Sequence, residues 1–130
     1  AGAAISWASK RQPTVALSTA EAEYMAIGEV AKHVIWSRRL GSAVGFPTIG
    51  PSIIFGDNQS SIFLASNPTD FRRSKHIDIR HHFIREKVES KELELVWIPS
   101  QENISDILTK PLFRLNHHAI CVRIGLERAA

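Results

Sequence analysis

The stretch that most constrains the fold is residues 52–61, where a short apolar run stops on an acid and continues as a helix. Ile53, Ile54 and Phe55 are β-branched or aromatic, as in a buried strand, and polar residues follow Gly56. Asp57 is therefore expected at the carboxyl end of a strand, where open α/β sheets place their functional groups. The alternative interpretation is that Asp57 or its neighbour Asn58 caps the following helix.

Length and composition fit a folded domain and exclude several classes of protein. With 130 residues, of which 44% are hydrophobic and 22% charged, the chain is predicted to be a single globular domain over residues 1–130. The one cysteine, Cys121, excludes an internal disulfide framework and is predicted to be packed. Because no run suits a membrane span or a signal peptide, we expect an intracellular protein with no membrane partner.

The first predicted helix separates two acids that look alike in the sequence. Ser18 and Glu21 have the spacing of a capping box, in which the hydroxyl accepts from an amide of the first turn and the carboxylate reaches back. Glu23 has no such structural task and lies beside an apolar stripe that includes Ile27 and Val30. A carboxylate beside the core is costly unless a partner or a metal ion meets it.

The remaining pattern predicts an α/β fold. Residues 4–7 and 14–17 have strand character and can form a hairpin, and the first helix is expected to end near Leu40 because Gly41 follows. Four further segments are predicted: short and longer helices over 60–65 and 77–88, a last strand over 93–98, and a final helix opened by 101–110.

Asp106 completes a set of three acids placed at strand exits or helix starts. Asp106 falls in the first turn of the final helix, where Asn103 can cap, so a capping role for this acid is the structural alternative. If Glu23, Asp57 and Asp106 converge on one rim of the sheet, their charges require a hard cation. Two Mg²⁺ or Mn²⁺ ions on such oxygen ligands suit phosphodiester cleavage.

A basic segment follows the second predicted helix, in a chain whose net charge is +3. Four acids dilute this segment, so a solvated helix face with ion pairs is an open alternative to a nucleic-acid contact. His76, His81 and His82 make a weak zinc pattern because neither cysteines nor a spaced acid pair accompany them. The basic residues are Arg72, Arg73, Lys75, Arg80, Arg85, Lys87 and Lys91.

Five motifs in order, over nearly the whole chain, resemble the ribonuclease H domain of copia-type LTR retrotransposon polyproteins. They are residues 16–24, 57–60, 75–79, 82–86 and 101–110. The resemblance implies a ribonuclease H-like mixed sheet flanked by helices, and cleavage of the RNA strand of RNA/DNA hybrids. It also implies that Glu23, Asp57 and Asp106 bind two Mg²⁺ or Mn²⁺ ions, and that the reverse transcriptase part of the same polyprotein is a partner.

The same resemblance assigns contacts with the hybrid. Ser18 and Thr19 would approach a backbone phosphate, and Gln59 would face the minor groove, where 2′-hydroxyls distinguish RNA from DNA. Contacts that position the duplex without reading its sequence are expected from the basic segment. Its residues in this role are Arg72, Arg73, Lys75 and Arg80.

Two departures from the family pattern leave activity open. The family has a fourth acid on a first, central strand, whereas this sequence begins with residues that resemble the second strand. The loop over 99–102 also lacks the histidine that cellular and retroviral ribonucleases H carry there. The alternatives are an inactive remnant that binds nucleic acid or a partner protein without cutting, and a structural interaction domain. Strand exchange between two copies can also compensate for a missing strand.

Overall fold

The computed structural model describes residues 3–66 and 75–126, without the side chains of Ser66 and residues 75–81. It contains α1 (Thr19–Ala43), β1 (Ser52–Gly56), α2 (Gln59–Ser66), α3 (Lys75–Glu89), β2 (Leu93–Trp97), two 3-10 helices (Ser100–Glu102 and Ile104–Leu108) and α4 (Arg114–Arg123). The predicted α/β class is confirmed. Among these residues, no helix has the length and apolar character needed to cross a membrane.

The chain divides into two compact units, each described by itself. The larger unit is Val15–Pro99, and the smaller one combines Ala1–Thr14 with Ser100–Ala130. A single domain over residues 1–130 remains a prediction.

The sheet of the larger unit pairs β1 with β2 in parallel. Ser52 pairs with Leu93 and Gly56 with Trp97, so the carboxyl ends of the two strands lie side by side. The Ile98 amide extends the ladder by donating to the Gly56 carbonyl at 2.9 Å. Parallel strands cannot be joined by a tight turn, and the crossover between them contains α2 and α3.

The core of this unit lies against the sheet face that carries Ile54 and Leu93. Helices α1, α2 and α3 all contribute to it, and Ile53 and Phe55 on the opposite face of β1 are exposed. On α1 the predicted apolar stripe is confirmed at Ile27, but Val30 is 45% exposed, so its predicted burial is wrong. The buried cluster is Tyr24, Ile27, Ala31, Ile35, Ile54, Ala65, Ile84 and Leu93.

Helix α1 runs through Gly41, which the sequence predicted to end it, and stops at Ala43. It ends in a Schellman motif, in which the Phe46 amide donates to the Gly41 carbonyl at 2.7 Å and Gly45 has a φ of 88°. A Cβ on Gly41 would lie 2.8 Å from the Phe46 carbonyl oxygen. Gly41 therefore permits the returning loop to approach the helix, and Gly45 supplies the left-handed residue that ends it.

The predicted hairpin over residues 4–7 and 14–17 is wrong, because the described residues 3–17 contain no strand. The side chains that would have formed its apolar face are exposed, from Trp7 at 73% to Val15 at 92%. A two-stranded hairpin is at best marginally stable unless one face is buried. Strand propensity alone therefore does not produce a strand here.

Lys87 joins the end of α3 to the start of β2. Its Nζ lies 3.0 Å from Oε1 of Glu92 and 3.1 Å from Oε1 of Glu86, and its side chain is only 13% exposed. The hydrogen bond with Glu92, followed by the one with Glu86, raises the pKa of Lys87. The same bond to Lys87 lowers the pKa of Glu92.

Replacing Ile84 by Ala should lower the free energy of unfolding by about 2–5 kcal/mol, because the residue is fully buried in the core. Urea denaturation measures the loss. Ile49→Ala is the matched control, since Ile49 is 96% exposed and should change stability by less than about 0.5 kcal/mol. Equal effects of the two substitutions would contradict this core.

Replacing Lys87 by Met should remove a pH-dependent part of the stability. Because the folded pKa of Glu92 is lowered, the pair stabilises the fold above the ordinary value of 4.5, and this contribution is lost as pH falls through the folded pKa. The raised pKa of Lys87 means that the contribution persists below 10.5 and is lost as pH rises through its folded pKa.

Urea unfolding of the wild type and Lys87→Met, followed from neutral into acid pH, checks this prediction. The difference between their unfolding free energies should shrink as Glu92 becomes protonated. Lys32→Met is the control, because it breaks the exposed 2.8 Å pair of Lys32 with Glu29. A difference that stays constant with pH would count against the pair.

Candidate functional site

Asp57 follows the last residue of β1 directly, as predicted from the apolar run. It is partly buried, and its backbone carbonyl accepts a hydrogen bond from Nε1 of Trp97 at 3.2 Å. Trp97 is the last residue of the neighbouring strand and pairs with Gly56. The end of β2 therefore fixes the main chain from which the Asp57 carboxylate projects.

Asn58, and not Asp57, caps α2. Oδ1 of Asn58 accepts from the Ser61 amide at 3.0 Å, and the Asn58 carbonyl accepts from the Ser61 hydroxyl at 2.8 Å. Ser61 is itself buried, so this exchange satisfies polar groups inside the unit. The alternative left open by the sequence is thereby decided, and the Asp57 carboxylate is not part of the cap.

The start of α1 confirms the predicted capping box. Oγ of Ser18 accepts from the Glu21 amide at 3.1 Å, and Oε2 of Glu21 accepts from the Leu17 amide at 2.7 Å. Glu21 thus stabilises the helix start. Glu23, two residues further on, is exposed on the flank of the buried stripe.

Helix α1 runs antiparallel to β1, which brings Glu23 to the same end of the sheet as Asp57. Near the end of α1, Nη1 of Arg38 donates to Oγ of Ser52, the first residue of β1, at 2.9 Å. At the other end of the strand, a Cβ on Gly56 would lie 4.0 Å from Cδ1 of Ile27.

Glu23 precedes Ile27 by one helical turn, which is a rise of about 6 Å. Asp57 lies one residue beyond Gly56, a step of about 3.3 Å along an extended chain. Glu23 and Asp57 therefore both lie toward the carboxyl end of β1, one on the helix and one at the exit of the strand.

Tyr24, beside Glu23 in the sequence, is a core residue. It is 1% exposed, and burial raises the pKa of its hydroxyl, with the charge of Arg85 acting in the opposite direction. The hydroxyl therefore stays protonated around neutral pH, which suits packing and not proton transfer.

Asp106 lies in the smaller unit, in the 3-10 helix Ile104–Leu108 and not in the predicted α-helix. Asn103 caps this turn by accepting from the Ser105 amide at 3.1 Å, as the sequence allowed. The Asp106 carboxylate does not join that cap. Its Oδ2 lies 2.9 Å from Nζ of Lys110, and the side chain is 14% exposed.

A shallow cavity of about 210 Å³ opens beside Asp106 within the smaller unit. Carboxamide groups and a hydroxyl share its wall with two apolar side chains. Asp106 thus borders a space that has hydrogen-bonding groups on several sides. The cavity is lined by Ser100, Gln101, Asn103, Asp106, Leu112, Asn116 and Ile120.

The residues predicted to contact nucleic acid are described only in part. Ser18 and Thr19 are exposed at the start of α1, and Gln59 is exposed as the first residue of α2. Arg72 and Arg73 lie outside the described residues. Lys75 and Arg80 belong to α3, but their side chains, like those of His76 and His81, lie outside the description.

Glu23 and Asp57 belong to the larger unit and Asp106 to the smaller one. In the described part of either unit, no three His, Cys, Asp or Glu side chains are grouped closely enough to hold a metal ion.

Cys121 has no disulfide and is partly buried, with Sγ 3.6 Å from Nδ1 of His117. Lys110 and Trp97 were missed as site residues, although the spacing of Lys110 from Asp106 permits an ion pair.

The chain is similar to segments of retrovirus-related Pol polyproteins from transposons. It is 43% identical over 120 residues to that of transposon TNT 1-94 from Nicotiana tabacum, and 36% over 124 residues to that of RE1 from Arabidopsis thaliana. The polyprotein of RE2 from Arabidopsis thaliana is 35% identical over 122 residues. These alignments cover 92%, 95% and 94% of the chain, but only 9%, 8% and 8% of the polyproteins.

The chain therefore has homologues in retrotransposon Pol polyproteins and spans less than a tenth of their length. No protein-family model and no solved structure matches it.

Asn58→Ala should lower the free energy of unfolding by about 0.5–2 kcal/mol, because it removes the cap of α2. Asp57→Asn should leave stability unchanged or raise it, because the carboxylate is not part of that cap. Urea denaturation of both variants tests the assignment. A larger loss for Asp57→Asn than for Asn58→Ala would give Asp57 a structural role instead.

Proposed function

We propose that this chain is a ribonuclease H region of a retroelement Pol polyprotein that cleaves the RNA strand of RNA/DNA hybrids. The observation that carries the proposal is the approach of Glu23 and Asp57 to one end of β1. Asn58, and not Asp57, caps α2, and Glu21 completes the capping box of α1. Similarity to Pol polyproteins supports the assignment to a retroelement polyprotein, and the ribonuclease H-like motifs support cleavage of the RNA strand.

Glu23, Asp57 and Asp106 would hold the divalent ions. Their oxygens suit Mg²⁺ or Mn²⁺, and the Asp106 carboxylate already binds a cation, the Lys110 ammonium. When bound, two such ions supply an activated water and stabilise the leaving oxygen of a phosphodiester. The ribonuclease H-like mixed sheet flanked by helices, without the family's first, central strand, is part of the same proposal.

The chain's other residues would orient the hybrid. Ser18 and Thr19 stand at the start of the 25-residue helix α1, where backbone amides and the helix dipole favour a phosphate. Gln59 lies two residues after Asp57 and would reach the minor groove, where it can hydrogen-bond a 2′-hydroxyl. We also propose backbone contacts for Arg72, Arg73, Lys75 and Arg80, and association with the polyprotein's reverse transcriptase part.

Cleavage of an RNA/DNA hybrid, measured with Mg²⁺ and with Mn²⁺, tests this function. The chain should cut the RNA strand of the hybrid and leave a DNA duplex of the same sequence intact. Asp57→Asn should lower the cleavage rate on the order of 100-fold or more, because it removes a ligand charge from the metal site.

Glu29→Gln is the matched control, because Glu29 is an exposed acid of α1 that pairs with Lys32. Its cleavage rate should equal that of the wild type. Undiminished cleavage by Asp57→Asn would refute the role of Asp57. If the wild-type chain binds the hybrid without cutting it, the non-catalytic alternative replaces the proposed nuclease.

A further inference from the structure

The ion pair of Asp106 with Lys110 is asymmetric in its exposure to solvent. The Asp106 side chain is 14% exposed and that of Lys110 is 53% exposed, although their charged atoms are 2.9 Å apart. The Lys110 amide also donates to the Asp106 carbonyl at 2.8 Å, so the backbones of the two residues are joined. One partner is enclosed, whereas the other can turn into solvent without moving the main chain.

This asymmetry determines which partner can be exchanged. A carboxylate that is mostly removed from water needs a cation or hydrogen-bond donors, because a charge buried alone is costly. A lysine ammonium on a flexible four-carbon stem regains hydration when it leaves. A second cation on Asp106 would also repel the ammonium, since like charges a few ångströms apart oppose each other strongly where water is scarce.

We propose that Lys110 is an exchangeable counter-cation that holds Asp106 in the cation-free chain and binds a nucleic-acid phosphate when that carboxylate is neutralised. The inference rests on the proposed function, because it takes Asp106 as a metal ligand. It adds a phosphate-binding residue to the site.

The surroundings of Asp106 suit this exchange. The cavity beside Asp106 is open to solvent and carries Ser100, Asn103 and Asn116 on a wall that also includes the apolar side chains of Leu112 and Ile120. Its polar side chains can hydrogen-bond a phosphodiester that enters the cavity. Another cation of this unit, Arg123, is directed elsewhere, since its Nη1 donates to the Glu102 carbonyl at 3.4 Å. Lys110 is the cation that contacts the Asp106 carboxylate among the described residues.

A double-mutant cycle in hybrid binding tests the exchange without cleavage. The wild type, Asp106→Asn, Lys110→Met and the double variant are titrated with a fluorescent RNA/DNA hybrid in EDTA, over a series of salt concentrations. Asp106→Asn mimics the neutralised carboxylate and so releases Lys110.

In the Asp106→Asn background, Lys110→Met should weaken binding several-fold and reduce the slope of log affinity against log salt by about 0.9, the loss of one phosphate contact. In the wild-type background the same substitution should leave the salt slope unchanged, because the ammonium is engaged by Asp106 and makes no phosphate contact. Lys110→Arg should preserve the steeper slope in the Asp106→Asn background, since arginine also binds phosphate.

Lys32→Met is the matched control for a nonspecific loss of charge, because Lys32 forms an exposed ion pair with Glu29 on α1, at 2.8 Å. Lys32→Met should change hybrid binding equally in the wild-type and the Asp106→Asn backgrounds. An equal effect of Lys110→Met in both backgrounds, or no effect in either, would overturn the exchange, as would an absence of hybrid binding by Asp106→Asn.

Manganese binding in the absence of nucleic acid supplies a second readout. Lys110→Met should bind Mn²⁺ several-fold more tightly than the wild type, because the competing ammonium is gone; unchanged or weaker binding would contradict the proposal. The cycle needs no cleavage. If Lys110→Met weakens binding only in the Asp106→Asn background and the chain does not cut the hybrid, the nuclease is rejected and the exchange is retained. If the chain cuts the hybrid but Lys110→Met has the same effect in both backgrounds, the nuclease is retained and the exchange is rejected.

Discussion

The parallel pairing of β1 with β2 is the constraint on which the larger unit depends. Strands that run in the same direction require a crossover, and the crossover carries α2 and α3, both of which contribute side chains to the core beside Ile54. The pairing also aligns the carboxyl ends of both strands. Because α1 runs back along β1 from Arg38 to Ile27, it brings its own first turns to that end. Acids from a strand and a helix can therefore meet.

Much of this arrangement was predictable because it depends on local chemistry. The apolar run before Asp57 is a strand, and the predicted helices over 60–65 and 77–88 occur as α2 and α3. The cap of α1 requires only Ser18 and Glu21 at the right spacing. Asp57 and Asn58, by contrast, are both good capping residues, so only the geometry of the Ser61 amide could decide between them.

The predictions that were wrong or incomplete all depend on tertiary contacts, which a sequence does not show directly. A strand over residues 4–7 needs a neighbour and a buried face, and Ile5 is exposed. Gly41 was predicted to end α1 because glycine weakens helices, whereas here it permits the close approach of Phe46. The Lys110 pair was overlooked because an acid and a lysine at such spacing are common on surfaces, and its unequal exposure is a property of the fold.

The hydrogen bond from the Trp97 indole to the Asp57 carbonyl makes the acid dependent on a residue that carries no charge. Asp57 supplies the carboxylate, while β2 supplies the position of its main chain. A related sequence can therefore retain Asp57 and still lose the position of its main chain through one change in β2. The presence of the acid alone does not show that its carboxylate is held in the same place, and the aromatic residue at the end of the second strand has to be compared as well.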